Sequence, residues 1–514
     1  MSMNNNIQYE HIPQEKFVFT QLDASLHDKK LETKSRSYLA DAFLRFRKNK
    51  SSVIAAIIIA FLLLYAIVAP FLVPYNTRHM DKIYVSYPPY VESVAEKGWG
   101  ILDGATTRSS QNETAMKYWE GIAKETGMNP VLKIKSYDVS YVMYRGQEKA
   151  NYSYTIETNK YFEKGIVFRT FSYEEFAKIQ AWQNETGVQV IYPYVDPKDI
   201  NDLTDANVWY QVKNAKGEPK LDKDGNFIPV YMTDASKAGA EYNSIRIPGD
   251  DGSYVYSMAK SGAVSCRVCY YNYYKYVNDG QEPMYIMGTN SLGQDIFSGI
   301  GIGARFSIIF AIIVSAINLV IGAIYGAIEG YYGGAVDMTM ERISDILSGL
   351  PFVVCTTLFQ LHLAQKVGVV PSFLFAFVLT GWIGMASLTR KQFYRFKNRE
   401  FVLAARTLGA SDKRLMFKHI FPNSIGTIIT SCALVIPGVI NSETSMTYLG
   451  IINLQEFAGT SLGTLMSQGN AAMTTAPHAM FWPALYLSLL LICFNLFGNG
   501  LRDAFNPSTR GGED

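Results

Sequence analysis

The sequence predicts a polytopic α-helical membrane protein of six transmembrane helices, with an α+β domain inserted between the first and second. Two observations carry this expectation. Apolar runs near Ser51–Val73, Phe306–Ile328, Ile346–Gln365, Val367–Thr389, Ile425–Gly450 and Ala479–Leu501 are each about 20 residues or longer, the length that crosses a hydrocarbon core. Between the first two lie roughly two hundred polar residues, enough for a domain with its own core. The 514 residues are 48% hydrophobic, yet mean hydropathy is near zero because the polar block dilutes the apolar ones. A formal net charge of +2 with 18% charged residues argues against a nucleic-acid partner.

Lysine and arginine orient the chain. Arg45, Arg47, Lys48 and Lys50 crowd the start of the first span and place the N-terminus inside. Arg390, Lys391, Arg395, Lys397, Arg399, Arg406, Lys413, Arg414 and Lys418 mark the loop 390–424, which six spans also place inside. Both termini are then cytoplasmic and the inserted domain is extracellular. Residues 1–42 read as a cytoplasmic tail, since Met1–Lys34 is polar and has neither an apolar h-region nor a cleavage site. Phe43, Leu44 and Phe46 alternate with cations, as suits an interfacial helix feeding the first span, so that 43–75 form one unit. Pro70 and Pro74 break this span at its outer end.

Residues 76–287 form the inserted domain. Gln111–Lys124 reads as a helix with Gly127 as its stop. Ser172-Tyr173-Glu174-Glu175 is a capping box opening a second helix that ends at Gly187. Val131–Tyr144, Tyr152–Thr158, Val188–Tyr192, Val208–Val212, Phe227–Met232 and Ser253–Met258 read as strands, with turns at Asp224-Gly225 and Gly249–Gly252. Cys266 and Cys269 leave three readings open: a local disulfide, half a metal site, or two plain thiols. No second pair accompanies them, so no zinc is expected. Tyr270, Tyr271, Tyr273, Tyr274, Tyr276 and Tyr285 crowd the return to the membrane and read as interfacial anchors.

Residues 288–514 hold the remaining spans. Gly322, Gly326 and Gly330, four apart, offer a smooth face for close helix packing. Arg342 at a span rim reads as paired with a carboxylate, and Glu443, deep in an apolar run, as a structural or gating group. Pro351 and Pro371 are expected to kink the third and fourth spans. His362 and His478 read as surface histidines. Phe401–Asn423 is a basic amphipathic segment of two short helices joined at Gly409, with Ser411 as the next N-cap, Asp412 at the positive helix end, and Pro422 stopping continuation. It suits docking of a soluble partner. The chain has no Gly-Lys dipeptide and so no Walker A loop.

Several stretches carry a resemblance. Ala404-Ala405, Gly409, Ala410, Ser411, Asp412, Ile420 and Pro422 resemble the "EAA" coupling loop of ABC-importer permeases, with Leu403 where glutamate is usual. Gly288-Thr289-Asn290-Ser291-Leu292-Gly293-Gln294-Asp295 resembles "GTDxxGRD", departing at Asn290 and Gln294. Glu443–Gly450 resembles "EASLSFLG", and Asn499–Pro507 "GDGLRDALDP". Together they are similar to the C-type permease of oligopeptide/dipeptide ABC importers, except for the large inserted domain. The resemblance implies a type I permease fold in a prokaryotic plasma membrane and a passive transport subunit without an ATP site or cofactor of its own. It implies a homologous second permease, two ABC ATPase subunits holding ATP and Mg, an extracellular substrate-binding lipoprotein, and a peptide cargo. Two alternatives stay open: the same importer type for nickel chelates or opines, or a membrane sensor or scaffold whose outer domain binds a ligand.

Overall fold

The structure, a computed structural model, describes residues 38–75, 79–144, 146–192, 246–248, 254–256, 263–454 and 460–505. Residues 1–37 of the expected tail, the expected strands 208–212 and 227–232, both expected turns and Asn506-Pro507 lie outside them, while 38–42 belong to the first helix.

The chain enters through α1 (Tyr38–Lys48) and α2 (Lys50–Leu72). Asn49 between them caps α2, its side chain accepting from Ser52 N at 3.3 Å. Pro70 sits inside the last turns of α2. The inserted domain follows as β1 (Tyr90–Val91), α3 (Glu92–Ala95), β2 (Ala105–Gln111), α4 (Glu113–Thr126), β3 (Val131–Tyr144), β4 (Gln147–Asn159), β5 (Ile166–Ser172), α5 (Tyr173–Thr186), β6 (Ile191–Tyr192), β7 (Arg246–Pro248), β8 (Tyr254–Tyr256), β9 (Ala263–Cys269), α6 (Tyr270–Val277) and β10 (Met284–Tyr285). These strands pair as β2-β4-β3, β5-β9-β6, β1-β10 and β7-β8, all antiparallel.

The helix stops expected in this domain are where the glycines put them. Gly127 (φ 73°) and Gly187 (φ 72°) are left-handed and close α4 and α5, and Ser172 Oγ accepts from Glu175 N at 3.2 Å. The strand expectation 188–192 shortens to Ile191–Tyr192, and of 253–258 the described residues Tyr254–Tyr256 form a strand.

The tyrosines near the domain's end are not interfacial anchors. Tyr271, Tyr274 and Tyr285 are buried with Tyr75, Tyr84, Tyr90 and Tyr161 in an aromatic core at the domain's base. An aromatic ring gains more from burial against other rings than from a wet interface. Of the three readings open for Cys266 and Cys269, the structure has two free thiols. They lie three apart on β9, which keeps regular register with β5 (Arg169↔Cys266, Ile166↔Cys269), so their side chains fall on opposite faces. Cys266 packs with Phe171, Ile179 and Val190, Cys269 with Tyr161 and Ile166.

Beyond the domain, α7 (Ile296–Tyr332) runs 37 residues, longer at both ends than its apolar stretch. Then come α8 (Gly334–Ser348), α9 (Phe352–His362), α10 (Ala364–Val367), α11 (Val369–Gly381), α12 (Ile383–Phe396), α13 (Glu400–Thr407), α14 (Asp412–Arg414), a π-helical turn (Leu415–Ile420), α15 (Phe421–Tyr448), α16 (Leu462–Ala471) and α17 (His478–Phe505). Among the described residues five helical runs are long and apolar enough to cross a membrane: 50–72, 296–332, 369–396, 412–448 and 478–505. The third expected span is not one rod. α8 and α9 meet at 74° around Gly349-Leu350-Pro351, and the bent pair makes a sixth span if counted as one. Pro351 lacks the N–H a continuous helix needs and biases Leu350 away from helix.

Two other prolines behave differently from expectation. Pro371 sits in the first turn of α11, where its missing N–H costs nothing, so it opens the fourth span instead of kinking it. Pro422 does not stop the coupling segment, because the π turn at 415–420 widens the ladder just before it and the helix runs on into α15.

The membrane core gathers α2, α7, α11, α15, α16 and α17 around Ile300, Phe310, Phe373, Ile440 and Leu490. The three spaced glycines govern the α7–α12 contact. A Cβ at Gly322 would meet Met385 Cβ and the Trp382 carbonyl at 2.7 Å, and one at Gly330 the Arg390 carbonyl at 2.7 Å. At Gly326 it would lie inside the Ala386 carbonyl.

Candidate functional site

The coupling segment stands on a small core of its own. Val402, Leu415, Met416 and Ile420 are buried against Ala327, Tyr331 and Phe393, which ties the segment to the far end of α7 and to α12. Tyr331 Oη donates to Asp412 Oδ1 at 2.6 Å and receives Arg406 Nη2 at 3.4 Å, while Lys397 Nζ donates to the Gly330 carbonyl at 3.0 Å. Ser411 occupies the N-cap position but makes no side-chain cap bond, so Asp412 is held by Tyr331 instead.

The bend itself is a Schellman turn. Gly409 is left-handed at φ 82°, its N–H reaches the Arg406 carbonyl at 3.0 Å, and Ala410 N reaches the Ala405 carbonyl at 3.1 Å. Ala405 and Ala410 both lie against the segment's core, the contact that such a turn usually brings. Outward the segment shows apolar groups: Leu408, at the bend, is 88% exposed, and Phe401, Leu403 and Phe417 are exposed too.

Beside it lies an ion cluster that sequence reasoning missed. Arg390 donates to both oxygens of Asp337 (2.6 and 2.9 Å) and both of Glu341 (2.7 and 2.9 Å), with Glu329 at 3.6 Å. The Tyr394 hydroxyl also donates to Asp337. Such bidentate forks lock α8 to α12. Arg342, expected to be the paired rim cation, is exposed and reaches only Asp345 at 3.4 Å. The signal was available: Asp337 and Glu341 are four apart on one helix, as are Arg390 and Tyr394 on another.

At the other end of α7, about 55 Å away at 1.5 Å per residue, the loop 288–295 threads the start of the inserted domain. Thr289 Oγ1 donates to the Tyr84 carbonyl at 2.7 Å and accepts from Tyr87 N at 2.9 Å. Asp81 N donates to the Gly293 carbonyl at 2.8 Å, and Tyr285 Oη to Asp81 Oδ2 at 2.6 Å. The two departures from the familiar motif touch one another. Asn290 Nδ2 donates to Gln294 Oε1 at 3.1 Å and to Gln468 Oε1 of α16 at 2.8 Å, an uncharged link where opposite charges are usual. Asp295 caps α7, accepting from Ser298 N at 2.8 Å, and burial pushes its carboxyl up to about 6. His478 is not a surface histidine. It packs beneath Gly288 with Nε2 3.3 Å from the Thr289 carbonyl.

Glu443 is fully buried where α7, α15 and the start of α16 meet. It accepts from Ser307 Oγ at 2.6 Å, Thr444 Oγ1 at 3.3 Å and Thr447 Oγ1 at 3.5 Å, and Thr447 Oγ1 in turn accepts from Ser461 Oγ at 3.4 Å. Among the described residues no cation pairs with it. A carboxyl buried among hydroxyls from three elements joins those elements. Burial likewise pushes the Cys266 thiol up to about 12.

A multi-pass helical core with a basic knob at one end and the inserted domain at the other defines a membrane-spanning protein. Residues 319–511 match the model of the binding-protein-dependent transport system inner membrane component, and residues 37–89 that of the N-terminal TM domain of oligopeptide transport permease C. The oligopeptide transport system permease protein OppC of Bacillus subtilis (strain 168) is 40% identical over 223 residues, 43% of this chain and 72% of its own. The dipeptide transport system permease protein DppC of the same organism is 36% identical over 224 residues, 43% of this chain and 68% of its own. OppC of Haemophilus influenzae is 37% identical over 229 residues, 45% of this chain and 72% of its own. The chain belongs to the family of binding-protein-dependent transport inner membrane components and is a multi-pass membrane protein. Most of the inserted domain, from residue 90 to 287, falls outside both matched segments.

Proposed function

We propose that this chain is the membrane-spanning permease subunit of an ABC importer that takes up oligopeptides or dipeptides. ATP hydrolysis on separate subunits drives it through the 401–422 segment. The observation that carries this reading is the knob itself: a Schellman turn presenting Leu408 outward, bonded through Tyr331–Asp412 to the end of a helix whose other end seats the inserted domain. A push at Leu408 is thereby delivered to α7, and α7 is packed along its length against α12 and α2. The curated relatives are oligopeptide and dipeptide permeases, which supports peptide over nickel chelates or opines as cargo.

In this reading a homologous second permease completes the pore, and two ABC ATPases bearing ATP and Mg dock on the paired knobs from the cytoplasm. The inserted domain, on the extracellular side, meets a substrate-binding lipoprotein or shapes the entrance. Gly409→Pro tests the coupling, since proline cannot adopt φ near +80°. The variant inserts normally but loses stimulation of ATP hydrolysis by peptide and binding protein. Normal stimulation in that variant overturns the docking role.

A further inference from the structure

Pro70 removes one N–H from the interior of α2, so the Ala66 carbonyl, four residues earlier, loses its helical partner. In a membrane such carbonyls need another donor. Arg305 of α7 supplies it: Nε donates to the Ala66 carbonyl at 2.9 Å and Nη2 reaches the Ile67 carbonyl at 3.4 Å. One turn earlier Gly301 lets the proline come close, since a Cβ there would sit 3.0 Å from Pro70 Cδ and 3.3 Å from Ala69 Cβ. The guanidinium lies 5.9 Å from the Phe71 ring centre, and among the described residues no carboxylate pairs with it. Arg305 stands half-buried at the outer head of the second span, just before Phe306, where carbonyl groups are its hydrogen-bond partners.

We propose that Arg305 is a positioning residue: it takes over from the side the one hydrogen bond that Pro70 removes from α2, adds a second to the neighbouring Ile67 carbonyl, and so fixes the direction in which α2 leads into the inserted domain. Tyr65, five residues before Pro70, donates its Oη to the Phe297 carbonyl at 2.8 Å and secures the same α2–α7 joint from the α2 side. The proposal goes beyond the peptide-import reading and does not require it.

The test is a double-mutant cycle on the full chain co-expressed with its partner subunits, reading the melting midpoint of the solubilised complex and peptide uptake by cells. Arg305→Met lowers uptake about tenfold, the scale of losing two interhelical hydrogen bonds, and lowers the midpoint. Arg305→Lys, whose single ammonium reaches one carbonyl, recovers part of both. On a Pro70→Ala background, where the helix supplies its own N–H, Arg305→Met changes uptake by less than about twofold and leaves the midpoint where Pro70→Ala puts it. Equal damage on both backgrounds, or none on the wild-type one, overturns the proposal. If Arg305→Met fails to accumulate, accumulation of the double variant supports the proposal and its failure overturns it. Should even the wild type carry no peptide, the midpoints still decide the joint, and only the cargo reading falls.

Discussion

Glu443 illustrates what a single side chain decides in this protein. Its carboxyl joins α7, α15 and, through Thr447 and Ser461, the start of α16. Glu443→Gln keeps an acceptor for Ser307 and should melt within about 0.5 kcal/mol of wild type, whereas Glu443→Leu strands buried hydroxyls at about 1–3 kcal/mol. Calorimetry of the two solubilised variants checks this, and equal midpoints would refute the joint. Asp295 gives a pH dependence. Its folded carboxyl stands at about 6, above the ordinary value, so the folded state holds the proton more tightly. Stability from this group is therefore greatest below about 4 and declines as pH rises to about 6. Asp295→Asn keeps an acceptor for Ser298 N and should flatten the midpoint across that window. The sequence marked Glu443 because a carboxyl in an apolar run is conspicuous. It missed the pairing of Arg390, whose partners lie 49 and 53 residues away, so that the i, i+4 spacing within each helix shows a shared face but not which face it meets. The rim cation it chose, Arg342, is paired with a carboxylate as expected, with Asp345 three residues on and exposed.

Elements were legible wherever the cause of an end was local. Left-handed glycines at 127, 187 and 409 fixed helix stops, because only a residue without Cβ turns there cheaply. Proline was read less well, since its effect depends on what surrounds it: an opening turn at Pro371, a π turn before Pro422, a 74° break at Pro351. The same dependence separates two span glycines. A Cβ at Gly326 meets the α12 backbone, but at Gly438 of α15 nothing lies within 4 Å. Gly326→Val should part α7 from α12 and sharply reduce the chain's amount in the membrane, while Gly438→Ala should be tolerated. Immunoblots of membranes settle the comparison, and a Gly326→Val chain at wild-type level would remove close packing as the reason for that glycine.

At the scale of the whole molecule the inserted domain is a body hung from two points of one joint. The strand leaving α2 and the strand entering α7 pair as β1 and β10, with Tyr90 opposite Tyr285, and the Tyr285–Asp81 bond closes the ring beneath them. The far end of the domain has the opposite character. Beyond β2 the hairpin of β3 and β4 continues as a two-stranded ribbon, with Tyr137, Tyr141 and Met143 each more than 60% exposed. A ribbon that touches mainly itself adds little to the stability of what carries it. Replacing Ser136–Ser153 by an Asn-Gly turn, which joins Lys135 to Tyr154 and spares the β2–β4 pairing, should leave the melting midpoint of the full chain unchanged. Tyr285→Phe, which removes one hydroxyl from the base and leaves Asp81 Oδ2 without its donor, should lower stability by about 1–3 kcal/mol. Eighteen residues would thus matter less than one oxygen atom, because stability is set by where polar groups are buried and not by how much chain is present. A trimmed chain that melts early would mean that the ribbon packs on the rest of the protein, and the two-point suspension would have to be abandoned.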